Sequence, residues 1–330
     1  VMIKKYKILN FKKLKKQVSS KNNESVINSH IKQTWRRFLP AAFGGGILQI
    51  NLLVDTILAS ILGFGSISYL YFADRIAQLP LGIIGIALGT TLLTSLSKSN
   101  AIKDANQYSK ELIISLKIGL FFSIPAALVF MNFSDLLITV LFERGEFSFQ
   151  ETIQTSHALL AYAFGVPAFI MLKSCQPAFL AEGNTKTPMY IGFVILILNI
   201  ILSFSLMFFL KHAGIALATS IVSWIGTIIY ITLLIKTEKI TKPKFSLKEE
   251  DLNLFSVIFY GLKIILISCF MIFIMKLAQY ILEINNINET FVLIILCIFG
   301  FFLYILICKI FKYIPQELYQ FLSLKFKKAK

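Results

Sequence analysis

The chain has 330 residues, of which 56% are hydrophobic and only 15% are charged. Soluble chains carry about 25% charged residues, so this composition indicates a membrane protein. The formal net charge of +16 would also suit a protein that binds nucleic acid. The basic residues lie between apolar runs and form no motif that reads bases, however, so we expect no nucleic-acid partner.

Eight apolar segments are long enough to cross a bilayer, which takes about 20 residues of helix. In chain order these segments are 39–63, 67–96, 112–142, 153–176, 187–210, 213–235, 254–281 and 289–312. We therefore predict an all-α polytopic membrane protein with about eight transmembrane helices.

Two of these segments are predicted to be irregular. The second contains Pro80 and three glycines, a composition typical of a bent membrane helix whose backbone lines a cavity. The third contains Pro125 and the polar stretch 132–135. It predicts either a kink or a helix followed by an interfacial segment.

Lysine and arginine residues set the predicted orientation, because cytoplasmic loops are enriched in them. They concentrate in the N-terminal segment 1–37, in the loops 97–111 and 236–248, and after the last apolar segment. The loops between these are nearly free of them, which places both termini in the cytoplasm. The basic N-terminal segment shows no cleavable signal peptide. The chain begins with Val1 rather than Met, which suggests a piece of a longer chain, with a start at Met2 as the alternative.

No enzyme motif is visible, neither a P-loop nor HExxH nor GxSxG. His30, His157 and His212 are far apart in sequence, and we interpret them as loop or interfacial residues. The four cysteines lie in apolar runs without CxxC spacing and are interpreted as packing residues. We therefore expect no catalytic site.

A charged pair opens the second apolar segment, where charges are costly. Asp74 and Arg75 are adjacent there, and Gln78 follows one turn later. They suit either an interfacial anchor beside Tyr69 and Tyr71 or a pair that faces a cavity. In a cavity, the permanently charged guanidinium of Arg75 would suit a phosphate or pyrophosphate.

Other polar residues lie deeper in the segments. Asp55 lies in the middle of the first, and a buried carboxylate needs a hydrogen-bond partner, a proton or a cation. Asn199 and Ser203 share a helix face that suits either helix–helix contact or ligand binding, and Thr219 lies in the sixth segment. A carboxylate with amide and hydroxyl oxygens suits sodium, and together these features predict a transporter. We interpret Lys173 as a residue that snorkels to the membrane surface.

Several motifs carry a resemblance to a known family. The segment QINLLVDTILASILGFGSISYLYFADRIAQLPLGIIGIALGTTLLTSLSKS resembles the seventh and eighth membrane helices of the MurJ/MviN lipid II flippases. The similarity continues in order through LFERGEFS (141–148), the segment 161–188 and LKHAGIALATS (210–220).

The resemblance implies the fold and the division of the chain. Family members resemble fourteen-helix transporters of the multidrug/oligosaccharidyl-lipid/polysaccharide exporter superfamily, built from two six-helix lobes and two extra helices. Here 38–236 would be the C-terminal six-helix lobe, and 254–313 would be two extra helices that form a groove for a lipid tail. The segments 1–37, 237–253 and 314–330 would be a cytoplasmic linker, loop and tail, and the N-terminal lobe would be a partner outside this chain.

The resemblance also implies a function and its residues. Family members move lipid II, an undecaprenyl-pyrophosphate-linked peptidoglycan precursor, across the bacterial inner membrane by alternating access. Asp74, Arg75 and Gln78 would bind the substrate, with Asp74 orienting Arg75. A sodium site would be formed by Asp55, Asn199, Ser203 and Thr219, where Ser203 stands in place of a possible aspartate. The alternatives are a flippase for another polyprenyl-linked saccharide and a non-transporting membrane scaffold of the cell-wall machinery.

Overall fold

The computed structural model describes residues 21–237 and 254–315, and every regular element within these ranges is helical. Residues 1–20 of the predicted linker (1–37), 238–253 of the predicted loop (237–253) and 316–330 of the predicted tail (314–330) lie outside the described residues. The elements are α1 (Lys21–Ile61), α2 (Ser66–Pro80), a π-helical turn (Leu81–Gly85), α3 (Ile86–Ala101), α4 (Ala105–Asn132), α5 (Ser134–Phe142), α6 (Phe149–Leu180), α7 (Lys186–Lys236), α8 (Leu254–Ile284) and α9 (Glu289–Ile310).

The number of membrane-spanning segments agrees with the sequence. Seven helical stretches in the described ranges are long and apolar enough to cross a membrane. One of them, α7, has 51 residues and is broken at Lys211, whose φ of 52° and ψ of −135° are not helical. An unbroken helix of that length would measure about 77 Å, more than twice the hydrocarbon thickness of a bilayer. The two halves of α7 are therefore separate spans, and the prediction of about eight is confirmed.

The second predicted span is interrupted where proline and glycine residues occur. Pro80 has no N–H group, and its ring disturbs the preceding turn of helix. The backbone changes from α-helical to π-helical hydrogen bonding over Leu81–Gly85 before α3 begins at Ile86. Such π-helical turns occur often at functional sites. The predicted irregularity is thus a π-helical turn between α2 and α3.

The third predicted span consists of two helices. α4 begins after the N-cap Asp104, whose carboxylate accepts a hydrogen bond of 2.9 Å from the backbone N–H of Gln107. It continues through Pro125 and ends at Asn132, and the short helix α5 starts after Phe133. Of the two predicted alternatives, the structure shows a helix followed by a separate segment.

The helix α6 lies at the centre of the bundle and contacts α2, α3, α4, α5 and α7. Two hydroxyl groups of α7 donate hydrogen bonds to the backbone of α6. Ser220 Oγ donates to the Ala161 carbonyl oxygen at 2.7 Å, and Thr227 Oγ1 donates to the Ala168 carbonyl oxygen at 3.3 Å. The helices approach closely between these bonds, since a Cβ atom on Gly165 would lie 2.5 Å from Ser220 Oγ. Interhelical hydrogen bonds and small residues are what hold helices together in lipid.

The last two helices belong to the same apolar core as the central bundle, because α8 packs on α4 and α9 packs on α8 and α5. Two tyrosines anchor them. Tyr304 Oη on α9 donates to the Phe121 carbonyl oxygen at 2.5 Å, and Tyr260 Oη on α8 donates to the Tyr313 carbonyl oxygen at 2.9 Å. Their outer surface is apolar, as expected for contact with lipid; its exposed aromatic residues include Phe270, Phe273, Phe301 and Phe302.

Candidate functional site

The four residues predicted to form a sodium site meet in the structure. Asn199 Nδ2 donates a hydrogen bond of 2.8 Å to Asp55 Oδ1, and Ser203 Oγ lies 3.5 Å from the same oxygen. Thr219 Oγ1 lies 3.3 Å from Asp55 Oδ2. We call Asp55, Asn199, Ser203 and Thr219 the Asp55 cluster. It joins α1 to both halves of α7.

The Asp55 cluster is mostly shielded from solvent, and the Thr219 hydroxyl lies near more than one acceptor. Asp55 is 7% exposed, and Asn199 and Ser203 are at most 1% exposed. Thr219 Oγ1 lies 3.3 Å from Asn199 Oδ1 and 3.2 Å from the Ile215 carbonyl oxygen, as well as near Asp55. A hydroxyl group has one proton to donate, so only one of these acceptors receives it at a time. The other oxygens are thereby available to a cation.

One further buried oxygen belongs to the same helix face. Asn51 precedes Asp55 by one turn, and its Oδ1 atom is buried without a hydrogen-bond partner in the described part of the chain. An unpaired buried acceptor is costly unless something donates to it or binds it. One carboxylate among neutral amide and hydroxyl oxygens is a donor set that fits a hard monovalent cation. The residues present are therefore compatible with a sodium ion.

The residues predicted to bind the substrate lie on α2. Tyr71, Arg75, Gln78 and Gly82 are spaced by three or four residues and are all exposed, so they form one helix face, which we call the Arg75 face. The guanidinium carbon of Arg75 lies 4.8 Å from the centre of the Tyr71 ring, a cation–π contact. This contact positions the charge on the exposed side of the helix.

Asp74 is half-buried at the edge of the Arg75 face, and its carboxylate accepts a hydrogen bond from Gln78 Nε2. The structure thus gives Asp74 an amide partner and gives Arg75 an aromatic partner, rather than joining the two to each other. The two polar regions are close in space: Asp55 and Asp74 lie within electrostatic range of each other, and the buried Tyr162 lies within range of both.

The sequence did not predict three features of these sites. Tyr71 was named only as a neighbour of the alternative interfacial anchor, although its position four residues before Arg75 could have indicated the contact. The unpaired state of Asn51 had no sequence signal. His212 was expected in a loop or at an interface; it is 4% exposed, and its Nε2 atom lies 2.8 Å from the Gln154 carbonyl oxygen. The centre of its ring also lies 5.3 Å from that of the Tyr69 ring. Tyr69 therefore packs against His212, whereas Tyr71 contacts Arg75.

A bundle of membrane-spanning helices that holds a buried oxygen cluster and an exposed guanidinium places the chain among multi-pass membrane proteins with polar sites between their helices. The family model described as lipid II flippase MurJ matches residues 6–286. The chain belongs to this family, as the motifs of the sequence had suggested.

Relatives and solved structures agree with this assignment. The chain is 36% identical over 264 residues to a probable lipid II flippase MurJ of Buchnera aphidicola, covering 79% of this chain and 49% of the relative. It is 38% identical over 197 residues to that of Rhizobium meliloti, covering 60% and 37%. A solved lipid II flippase MurJ in an inward closed conformation aligns with a TM-score of 0.68 and 29% identity, covering 86% of this chain and 55% of that one.

A more distant structure shares the fold. The bent form of the Vibrio cholerae MATE transporter VcmN aligns with a TM-score of 0.56 and 22% identity, covering 77% of this chain and 58% of that chain. The chain spans about half or less of the length of the relatives that it matches.

Proposed function

We propose that this chain is the C-terminal part of a lipid II flippase, which moves undecaprenyl-pyrophosphate-linked peptidoglycan precursor across the bacterial inner membrane for cell-wall synthesis. The observation that carries the proposal is the exposed guanidinium of Arg75 on an apolar membrane helix. A charge at that depth is costly unless it faces a water-filled cavity or an anion. Family membership supports lipid II as the source of the anion.

The Arg75 face would bind the pyrophosphate. A guanidinium presents several N–H donors in a fixed plane and stays charged, so it pairs well with phosphate oxygens. Tyr71 holds the guanidinium from one side by its ring. Gln78 and Asp74, already hydrogen-bonded to each other, would orient polar groups of the sugar next to the pyrophosphate. The long polyprenyl tail would lie in a groove of α8 and α9, whose apolar surface suits it.

The Asp55 cluster would hold a sodium ion through the oxygens of Asp55, Asn199, Ser203 and Thr219, with Asn51 Oδ1 as a further candidate ligand. A bound cation would supply positive charge that offsets the carboxylate. Because the cluster draws residues from α1 and from both halves of α7, it can stabilise one arrangement of these helices over another.

Transport would also need the N-terminal lobe. Alternating access requires two lobes that rock against each other around a central site, and this chain would supply one lobe with the two extra helices. The N-terminal lobe is therefore the proposed partner. The distribution of lysine and arginine supports an orientation with both chain termini in the cytoplasm.

The test is a translocation assay with lipid II in proteoliposomes. The samples are the longer parent protein, its Arg75→Ala variant, and this 330-residue chain alone. Arg144→Ala is the matched control, because it removes an exposed arginine from a loop outside the helices. We expect the parent and the control to move lipid II, the Arg75 variant to lose at least about tenfold in rate, and the chain alone to be inactive.

Each alternative has its own outcome. A parent that moves another polyprenyl-linked saccharide but not lipid II would establish the same mechanism with a different substrate. A parent that moves neither would favour a scaffold of the cell-wall machinery. Transport by the 330-residue chain alone would contradict the two-lobe mechanism.

A further inference from the structure

Lys173 is a cation within the membrane helix α6 that the proposed function has not used. Its side chain is half-buried, and the described part of the chain offers its ammonium group no hydrogen bond and no ion pair. An unpaired ammonium at membrane depth calls for water, a headgroup or an anionic ligand. The helix continues for seven residues, about 10 Å, to its end at Leu180, which is further than a lysine side chain reaches. Because the Cα–Cβ bonds of a helix tilt toward its N-terminus, the stem of Lys173 leans away from that end, which disfavours snorkelling toward it.

Two glycines make room for Lys173 beside the π-helical turn. A Cβ atom on Gly85, the last residue of that turn, would lie 3.7 Å from Lys173 Cγ. A Cβ atom on Gly89 would lie 3.2 Å from the Lys173 carbonyl oxygen. The helices α3 and α6 thus cross closely at Lys173, and its aliphatic stem packs on the turn.

This position relates Lys173 to the Arg75 face. Gly82 is exposed at the end of that face, and Ile86 continues the exposed surface into α3. Gly85 between them is buried beside the Leu81 side chain and the lysine stem. Lys173 therefore lies at the edge of the same exposed surface that carries Arg75. Ten residues separate Arg75 from Gly85, which is about 15 Å along the helix.

We propose that Lys173 is a second binding position for the diphosphate, beside Gly85, whose backbone lies about 15 Å along the helix from that of Arg75. The inference rests on the proposed function and adds a stage to it. The Arg75 guanidinium lies against the ring of Tyr71, one turn before it and on the side away from Gly85, so we expect one diphosphate to meet the two cations in turn. The two cations therefore define successive positions: the headgroup meets Lys173 near one mouth of the cavity and passes to Arg75 at its centre.

The experiment measures binding of two probes to the purified parent protein: a short polyprenyl diphosphate and the matching polyprenol, which lacks the charged group. Lys173→Met removes the charge and keeps an unbranched apolar side chain, and Lys173→Arg keeps the charge. Lys186→Met is the control, because it removes an exposed lysine at the start of α7. We expect Lys173→Met to weaken diphosphate binding about tenfold with polyprenol binding unchanged, and the other two variants to stay within about twofold of the parent.

Two results would overturn the role of Lys173. Equal losses for both probes would show that the lysine only supports packing, and no loss for either would show that it does not meet the headgroup. If Arg75→Ala weakens diphosphate binding while Lys173→Met does not, the proposed function stands without this second position. A parent that binds the diphosphate no better than the polyprenol would refute the proposed pyrophosphate site and the Lys173 position together.

Discussion

Replacing Ser203 by aspartate tests whether the Asp55 cluster is a cation site. Ser203 Oγ lies 3.5 Å from Asp55 Oδ1, so Ser203→Asp places a second carboxylate against the first. Two like charges about 4 Å apart repel by about 4 kcal/mol at an effective dielectric constant of 20. A sodium ion between them removes this repulsion and is attracted by two charges instead of one. The variant should therefore depend on sodium far more than the parent does.

The assay is thermal unfolding of the purified parent protein in sodium chloride and in choline chloride at equal ionic strength. Ser203→Asn is the matched control, because it has nearly the shape of aspartate and no charge. In choline we expect Ser203→Asp to be less stable than Ser203→Asn, by up to the repulsion of about 4 kcal/mol. In sodium we expect most of that difference to disappear.

The difference between the responses of the two variants to sodium decides whether the Asp55 cluster binds the ion. If Ser203→Asp and Ser203→Asn respond identically to the exchange of choline for sodium, the oxygens of the Asp55 cluster do not bind the ion. The cluster would then be a hydrogen-bonded contact that joins α1 to α7. A destabilisation of both variants by the same amount would mean that bulk, not charge, is what position 203 rejects.

Three further substitutions test the geometry. Arg75→Lys keeps the charge but loses the planar set of N–H donors and the ring contact, so the rate of lipid II translocation should fall several-fold. Arg75→Ala should lower the rate further. Equal rates for the parent and the lysine variant would contradict binding of the pyrophosphate by two N–H groups of Arg75 at once. Gly165→Val should destabilise the parent by about 1–3 kcal/mol or more in thermal unfolding, because its side chain overlaps Ser220, and an unchanged transition would contradict the close contact. Tyr304→Phe loses the bond to the Phe121 carbonyl and should cost only about 0.6 kcal/mol; a loss of several kcal/mol would show that this anchor carries more than one hydrogen bond.

The membrane spans were predictable because the bilayer imposes them. In hydrocarbon a backbone must satisfy its own hydrogen bonds, so apolar stretches of about 20 residues become helices. The short KHAG sequence was enough to separate the fifth span from the sixth, and the structure breaks α7 at Lys211. By contrast, no local sequence pattern predicted that the turn after Pro80 is π-helical or that its Gly85 packs against Lys173 of α6.

The candidate site was predictable only in part. The spacing of Asn199 and Ser203 placed them on one helix face, but their shared contact with Asp55 spans 144 and 148 residues of chain. Before the structure, only the resemblance to a family indicated that these residues form one site. The pairing of Asp74 with Gln78 follows from their four-residue spacing, whereas the burial of His212 against the first turns of α6 depends on the tertiary fold.

The proximity of the two polar regions gives the final prediction. Asp55 and Asp74 lie within electrostatic range, so a negative charge on Asp55 opposes an anion bound at the Arg75 face. A cation on Asp55 cancels that charge and should favour the anion, and the anion must favour the cation equally. We expect the parent to bind the polyprenyl diphosphate more tightly in sodium than in choline. In either salt, Asp55→Asn should bind the diphosphate about as tightly as the parent does in sodium, because the opposing charge is gone. Sodium dependence that survives in this variant would place the ion elsewhere.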